Sequence, residues 1–368
     1  MSAPPITPHT YSDNIMHQRV GIIGPYPPPL GGISVHIQRI ADKLKQQHNN
    51  VQIFDATNYG SRMLRWKKMI QFLHRRTADH IHYHTLYHGS IEWLLVIVGQ
   101  IVYGYKLTLI DHDCRNLYTR SIIFKSLVRI TLSRVYEQIL IGTTTYQAYI
   151  DNNIPCIKNM KIESAFLPPD LNKKNAIMAT YPPELWVFLK NHTPLISMNA
   201  FALVLLNTQD LYGIDTALEL LNRLKNKYPN IGLVCALAQI GNEQHFKKIM
   251  HFITENNLQE QVFFLHGQKE LWPLLTYCDI FIRPTLSDGF SVSIEEALYF
   301  NVTTIATDAA ARPPQVIVYP VGDINAGELA VQQALYAQGF DCTSMKLQNK
   351  MHTFPPAQTV PQQPVIEE

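Results

Sequence analysis

In "RPTLSDGFSVSIEEALYFN", Arg283 to Asn301, two carboxylates stand eight residues apart. Asp288 sits beside a glycine and Glu296 sits in an apolar helical pattern. A turn followed by a helix with an acidic first turn accounts for this as plain structure. It is also an arrangement that can do chemistry. "DIFIRPT" reads as a buried strand, so "LSDG" falls at its carboxyl end and "SVSIEEAL" begins a helix. A helix start leaves backbone N–H groups without intrahelical partners and carries the positive dipole end, which together seat a phosphate. Gly289 allows close backbone approach. Ser291 and Ser293 can cap or donate, and the amides from Phe290 through Val292 to Ser293 are the candidate phosphate ligands. Glu296 can accept two hydrogen bonds from vicinal hydroxyls, as on a ribose, and Asp288 can accept from sugar hydroxyls. The set suits a nucleotide-sugar, with phosphates on the amides and one acid on each ring.

Positioning those groups takes a scaffold, and the rest of the chain spells one out. "RVGIIG" is a short β-rich run, "PYPPPLGG" is a loop, and Ile33, Ile37, Ile40, Ala41 and Leu44 then recur at helical spacing. "VQIFDA", "HIHYH", "KLTLID" and "QILIGT" are further strands with helical stretches between them. From "PLISMNAF" the alternation restarts. It runs through the amphipathic helix "GIDTALELLNRLKNKY" to "VTTIATD", and "QVIVYP" closes the series. Alternating strands and helices predict parallel sheets covered on both faces. The expected fold is α/β: two Rossmann-like, doubly wound domains facing across a cleft. The first spans residues 19–165 and the second residues 193–345, with a proline-stiffened linker over 166–192. A loose lead-in over 1–18 and a proline- and glutamine-rich disordered tail over 346–368 flank them. Ligands of such sheets bind beyond the carboxyl ends of the strands.

Bulk composition agrees. A 368-residue chain is long for one core and right for two domains, and 46% hydrophobic against 16% charged residues argues for a folded globular protein. Net charge is +2, but residues 1–170 hold 18 Lys and Arg against 11 Asp and Glu, a surplus of +7; the remainder carries −5. A basic front half implies an anionic neighbour. Five scattered cysteines without a C-x-x-C pair imply reduced thiols in a cytosol and exclude a disulfide framework or a cysteine zinc site. No secretory signal is read in the first residues. The most apolar run, Trp93–Tyr105, is shorter than the roughly 20 residues of a membrane span and reads as a buried helix leading into a strand.

"DGFSVSIEEALY" resembles the E-x7-E segment of the retaining glycosyltransferases of family 4, which have the GT-B fold and typically read "EGFGLPxxEAMA". Asp288 stands for the first glutamate and Glu296 matches the second. The flanks agree: "CDIFIRPT" resembles "aDvfvxPS", and "FNVTTIATD" resembles "xGxPVIATD". The resemblance runs from "GIIGPYPPPLGG" to about Asp323. It implies transfer of a sugar from a nucleotide donor with retention at the anomeric carbon, and neither an obligatory metal nor a cofactor. The leaving diphosphate helps deprotonate the acceptor. It also implies that Gly31 and Gly32 lie by the donor phosphates and acceptor, and that His112 in "LIDHDCRN" contacts the donor sugar. In this reading His112, Asp288 and Glu296 are the catalytic set. "HIHYH" resembles the family's "DIIHxH" at Asp79, His82 and His84, which are read as structural.

One departure stands out. The family carries an arginine and a lysine in the loop after the first strand of the second domain, clamping the pyrophosphate. Here no Lys or Arg occurs between Lys190 and Arg223, and Asn199 and Tyr212 sit near the expected places. Losing two such cations costs several kcal/mol at roughly 1.5–3 kcal/mol for each charge-assisted bond, unless something replaces them. Arg283, at the strand end before Asp288, is the first candidate replacement; Arg312 is the second.

A basic stretch, "SRMLRWKKMIQFLHRR", carries Arg62, Arg65, Lys67, Lys68, Arg75 and Arg76; as a helix it sets Met63, Trp66, Met69, Ile70 and Leu73 on one stripe, which Arg65, Lys67, Lys68, Arg75 and Arg76 flank or oppose. Two readings stand level: an ordinary surface helix packed on the first domain, or a helix lying in an anionic membrane surface. Nothing supports nucleic acid as a partner. The expected partners are a nucleotide-sugar donor and a glycan or lipid-linked acceptor, with an anionic membrane as a peripheral contact. The expected location is the cytoplasm, with association at the cytoplasmic face of that membrane, and the expected role is surface polysaccharide or glycolipid assembly. Alternatives are a degenerate GT-B protein that binds a nucleotide-sugar or a partner enzyme without catalysis, and a GT-B epimerase acting on free donor. Asp111-His112-Asp113 also forms a D-x-D, the metal-holding pattern of GT-A glycosyltransferases.

Overall fold

A computed structural model describes residues 18–74, 78–84, 90–112, 115–289 and 291–340. The chain divides into two compact units, one of residues 1–170 with Ser287–Tyr299, the other of Leu171–Leu286 with the remainder. The lead-in over 1–17, the tail from 341 onward, Arg75, Arg76, Asp113 and Phe290 lie outside the described residues.

The first unit alternates β1 (Arg19–Ile23), α1 (Gly32–Gln46), β2 (Asn50–Phe54), α2 (Arg62–His74), β3 (His80–His84), α3 (Ser90–Tyr103) and β4 (Lys106–Asp111). It continues with α4 (Arg115–Thr119), α5 (Ile122–Thr131), β5 (Glu137–Ile141), α6 (Gly142–Asp151) and β6 (Met160–Glu163). The six strands are parallel in the order β2-β1-β3-β4-β5-β6. β4 buries every residue after Lys106, as expected of a strand covered on both faces. α1 packs its predicted stripe, Ile37, Ile40, Ala41 and Leu44, with Val20 and Ile22 on one face of the sheet. α2, α3 and α5 contribute to a separate core that holds Met69, Trp93 and Phe124.

The second unit starts with α7 (Lys174–Met178) and α8 (Pro183–Asn191), followed by β7 (Leu195–Leu203) and a small hairpin of β8 (Leu205–Leu206) and β9 (Gln209–Asp210). Then come α9 (Ile214–Leu224), β10 (Gly232–Gly241), α10 (Glu243–Glu255), β11 (Val262–His266), α11 (Trp272–Leu275) and β12 (Ile280–Arg283). α12 (Val292–Tyr299) is grouped with the first unit; β13 (Thr303–Thr307), β14 (Ile317–Tyr319) and α13 (Ile324–Ala337) complete the second. The sheet order is β11-β10-β7-β12-β13-β14, again all parallel. The core gathers Ala217, Leu220, Leu221 and Leu224 of α9 against Ile196, Leu233 and Ile280.

The structure corrects three sequence expectations. The 166–192 stretch is not a bare linker, because Pro183 opens α8 from its first turn, where a missing N–H costs nothing. α13 extends the series past "QVIVYP": Asp323 caps it by accepting from the Ala326 amide at 2.9 Å, and Ala330, Val331, Ala334 and Leu335 line its buried side. Its alanines made that side hard to recognise as a core face. Trp93–Tyr105 is not wholly buried, since α3 hides Trp93, Val96 and Ile97 but exposes Leu94, Val98, Ile101 and Val102.

Candidate functional site

In each sheet the strand order reverses once, between β1 and β3 in the first and between β7 and β12 in the second. Connections leave in opposite directions at such a point and open a crevice beyond the strand ends, the usual ligand position.

At the first reversal, α1 begins with Gly31 as its N-cap and has no acid in its first turn, so its dipole end carries no carboxylate of its own. Ser34 shapes the entry. Its hydroxyl accepts from the Gly31 amide at 2.8 Å and donates to the Pro29 carbonyl at 2.7 Å. Gly31 is extended at φ −148°, and an added Cβ at Gly31 or Gly32 meets only ordinary contacts, 3.8 Å from Ser34 and 3.7 Å from Val292. The packing here does not itself demand glycine.

Three imidazoles converge beside this entry: His36 from α1, His84 from the end of β3, and His112 just after β4. Their ligand atoms lie within 4.8 Å of one another. His84 Nδ1 and His112 Nε2 are 3.0 Å apart, and the His36 and His112 rings meet edge-on at 4.8 Å. The Ala165 carbonyl, 2.5 Å from His36 Nδ1, can only accept, so that nitrogen carries the proton and Nε2 is the acceptor of the neutral ring. Such a trio can exchange protons, bond sugar hydroxyls, or hold a borderline metal once drawn to the roughly 3.3 Å nitrogen spacing of a tetrahedral site. His112 was expected from the sequence. His36 was missed, and His84 was read as structural. Asp79, by contrast, is an exposed partner of Arg19, which lowers its carboxyl from the usual range mainly through the side-chain hydrogen bond.

Glu296 on α12 is buried and paired with Arg39 of α1, at 7% and 9% side-chain exposure. The Arg39 guanidinium also donates to the Leu167 carbonyl at 2.8 Å. No sequence signal singled out Arg39; its stripe position on α1 reads as flanking surface. At the start of α12 the Ser291 carbonyl accepts from the Ile294 and Glu295 amides, and the Ser291 and Ser293 hydroxyls stand 3.5 Å apart. Val292 packs among Ile110, Ile139, Ile141 and Ala165. Asp288 accepts from the Gly289 amide at 3.1 Å, and a Cβ at Gly289 would meet open space. Burial raises the Glu295 carboxyl.

At the second reversal, Arg283 ends β12 at 7% exposure. It donates to the Asn199 carbonyl at 3.1 Å and to the Asn199 side chain at 3.5 Å, and its guanidinium stands 5.1 Å from the Tyr212 ring centroid. The structure thus brings together three residues that the sequence placed 13 and 71 positions apart. Tyr212 is held in turn by Asp210, which accepts from the Tyr212 amide at 3.1 Å and from the Ile214 amide. Desolvation raises the Asp210 carboxyl, and those amide bonds oppose the rise. Gly213, at φ +77°, is the one glycine here that cannot be replaced, because a Cβ would fall 2.1 Å from the Pro284 carbonyl oxygen. Arg312 donates from Nε to the Thr307 carbonyl at 2.9 Å.

Of the residues expected to face a membrane, Trp66 and Arg65 turn to the protein instead. Trp66 donates to buried Glu92 at 3.0 Å, and Arg65 lies 3.6 Å from the same carboxylate. Arg62, Lys67 and Lys68 are exposed. Asp111 of the D-x-D is buried and accepts from the Tyr149 hydroxyl at 3.2 Å.

Residues 190–322 match the family model for glycosyl transferases group 1. An uncharacterized glycosyltransferase of Methanocaldococcus jannaschii is 30% identical over 95 residues, which is 26% of this chain and 22% of that relative's length. Among solved structures, Anabaena HepE in complex with UDP-glucose aligns with a TM-score of 0.60 at 14% identity over 88% of this chain and 92% of that one. A glycosyltransferase from Rickettsia africae aligns with a TM-score of 0.63 at 12% identity, over 88% and 89%. Sucrose-phosphate synthase from Thermosynechococcus elongatus gives 0.58 at 14%, over 89% and 92%. These likenesses show the fold, and two Rossmann-like sheets exclude the single-domain GT-A alternative. Residues 190–322 thus resemble the glycosyl transferases group 1 family, and the two sheets have the GT-B fold.

Proposed function

We propose that the chain is a retaining glycosyltransferase that moves a sugar from a nucleotide-sugar to a glycan or lipid-linked acceptor, in surface polysaccharide or glycolipid assembly at the cytoplasmic face of a membrane. The observation that carries this reading is the seat of Arg283 against Asn199 and Tyr212, inside the matched domain and at its reversal point. A guanidinium fixed by two oxygens and a ring offers a diphosphate its charge without reorganising, and so supplies what the absent 191–222 cations would have given. Glu296 takes the ribose hydroxyls, with Arg39 as its positioning residue. Asp288 takes the donor sugar, with His112 as a second contact to it, and the amides at the start of α12 assist with phosphate.

In the transfer step, the bond from the anomeric carbon to the diphosphate breaks as the acceptor oxygen bonds that carbon on the same face. The acceptor proton passes to the departing diphosphate oxygen. The chain's residues orient the donor and stabilise the leaving charge.

The test is a thermal-shift panel of nucleotide-sugars, beginning with UDP-glucose because HepE of Anabaena is known in complex with it. The donor is expected to raise the unfolding midpoint in a concentration-dependent way. Arg283→Lys, which loses the planar fork and the ring stacking, is expected to weaken that donor by roughly tenfold to a hundredfold. No shift with any nucleotide-sugar would overturn the reading. A shift with no transfer and no donor hydrolysis supports the second reading, a non-catalytic nucleotide-sugar binder, which the missing cations between Lys190 and Arg223 favour.

A further inference from the structure

The first unit exposes more hydrocarbon on one side than its own fold uses. Its connections β2 to β3, β3 to β4 and β4 to β5 all step the same way across the sheet. Right-handed crossovers therefore lay α2, α3 and α5 side by side on one face, and their inner sides share one core. The outer sides are not the polar surface that such helices normally present. On α3, Ile91, Leu94, Val98, Ile101 and Val102 are exposed, and their spacing puts them on a single stripe. Neighbouring α5 shows Ile122, Ile123 and Ile130 to solvent at 79%, 81% and 75% exposure. Soluble monomers scatter exposed apolar residues singly; stripes of them on adjacent helices mark a surface made to be covered.

Charge decides what covers it. The three helices carry six cations and one acid, Glu92. Glu92 is buried and turned inward to Trp66 and Arg65, so no carboxylate of these helices faces outward. Lys67 and Lys68 are exposed on the side of α2 opposite its buried Met69 and Leu73. A second copy meeting this face about a twofold axis would bring like charges together. No described helix is long and apolar enough to cross a membrane, and α3, at 14 residues, is about 21 Å long against a hydrocarbon core of about 30 Å.

We infer that the α2–α3–α5 face docks flat on an anionic lipid bilayer, with the α3 and α5 side chains entering the headgroup boundary and the α2 lysines resting on the phosphates. The anchor is not the tryptophan of α2 but the hydrocarbon of its neighbours. Docking needs no donor, so it stands or falls separately from glycosyl transfer.

The test is co-sedimentation of the full chain with vesicles of phosphatidylcholine alone or mixed with phosphatidylglycerol. The protein is expected to pellet with the mixed vesicles and to remain in solution with the neutral ones. Lys67→Gln/Lys68→Gln is expected to lower partitioning roughly thirtyfold. Val98→Asp/Ile101→Asp is expected to abolish it, and Ile122→Asp/Ile123→Asp repeats that result on a separate helix should the α3 variant fail to fold, as judged by thermal unfolding. Wild-type protein left in solution with anionic vesicles, equal binding to neutral ones, or folded aspartate variants that still bind would each overturn the inference. So would a dimer that these substitutions dissolve in the absence of vesicle binding.

Discussion

Arg39 and Glu296 are 257 residues apart in the chain and form one buried pair. Removing one member of such a pair is costly because the other keeps its charge without its partner. Arg39→Met is expected to destabilise the protein by about 3–5 kcal/mol in urea unfolding. Arg39→Lys keeps the charge, loses the second bond to the Leu167 carbonyl, and should recover part of that loss. If Glu296 holds the donor as proposed, Arg39 acts on it only through that carboxylate, and Arg39→Lys should raise the donor KM more than it lowers kcat. A fall in kcat with KM unchanged would refute the positioning role. Asp288 and Glu296 could be singled out as candidates from sequence because their eight-residue spacing across a strand end and a helix start resembles a known segment, although acids there also suit the helix dipole as plain structure. Arg39 could not, because an arginine on a helix flank is the commonest of surface residues until its partner is known.

At the scale of elements, β3 makes a pH-dependent contribution that its sequence hides. "HIHYH" forms five successive buried positions, so three histidines share a strand interior. His80 sits near Lys106, His82 and Tyr136, bonds Thr108 at 2.8 Å, and has its pKa pushed down to about 4, first by burial and then by the Lys106 charge. In the unfolded chain it titrates near 6.5, so between those values the unfolded state binds the extra proton. His80 therefore favours the folded state fully above about pH 6.5, and that contribution is lost as pH falls toward 4. The loss is of order 3 kcal/mol. His80→Gln should flatten the denaturation midpoint over that window, and an unchanged slope would refute the assignment. Most strands were legible because buried parallel strands read as apolar runs. α13 and the opening turn of α8 were not, because alanine-rich faces and a helix-starting proline both resemble the absence of structure.

At the scale of the molecule, the proposed chemistry leaves stabilisation of the leaving diphosphate to Arg283 and backbone amides rather than to an ion. Transfer or donor hydrolysis is therefore expected to survive EDTA. Loss of activity on chelation, restored by zinc, would instead give the reaction to the histidine trio of His36, His84 and His112. The amino-acid sequence alone determined the class of fold and the alternation that builds two parallel sheets, because periodicity and turn chemistry are local and survive in one dimension. Only tertiary structure decided which cation meets Glu296, that Arg283, Asn199 and Tyr212 share one site, and that α3 rather than Trp66 presents the apolar surface. Those facts depend on which residues folding brings together across long stretches of chain, and on which side of a helix the core consumes.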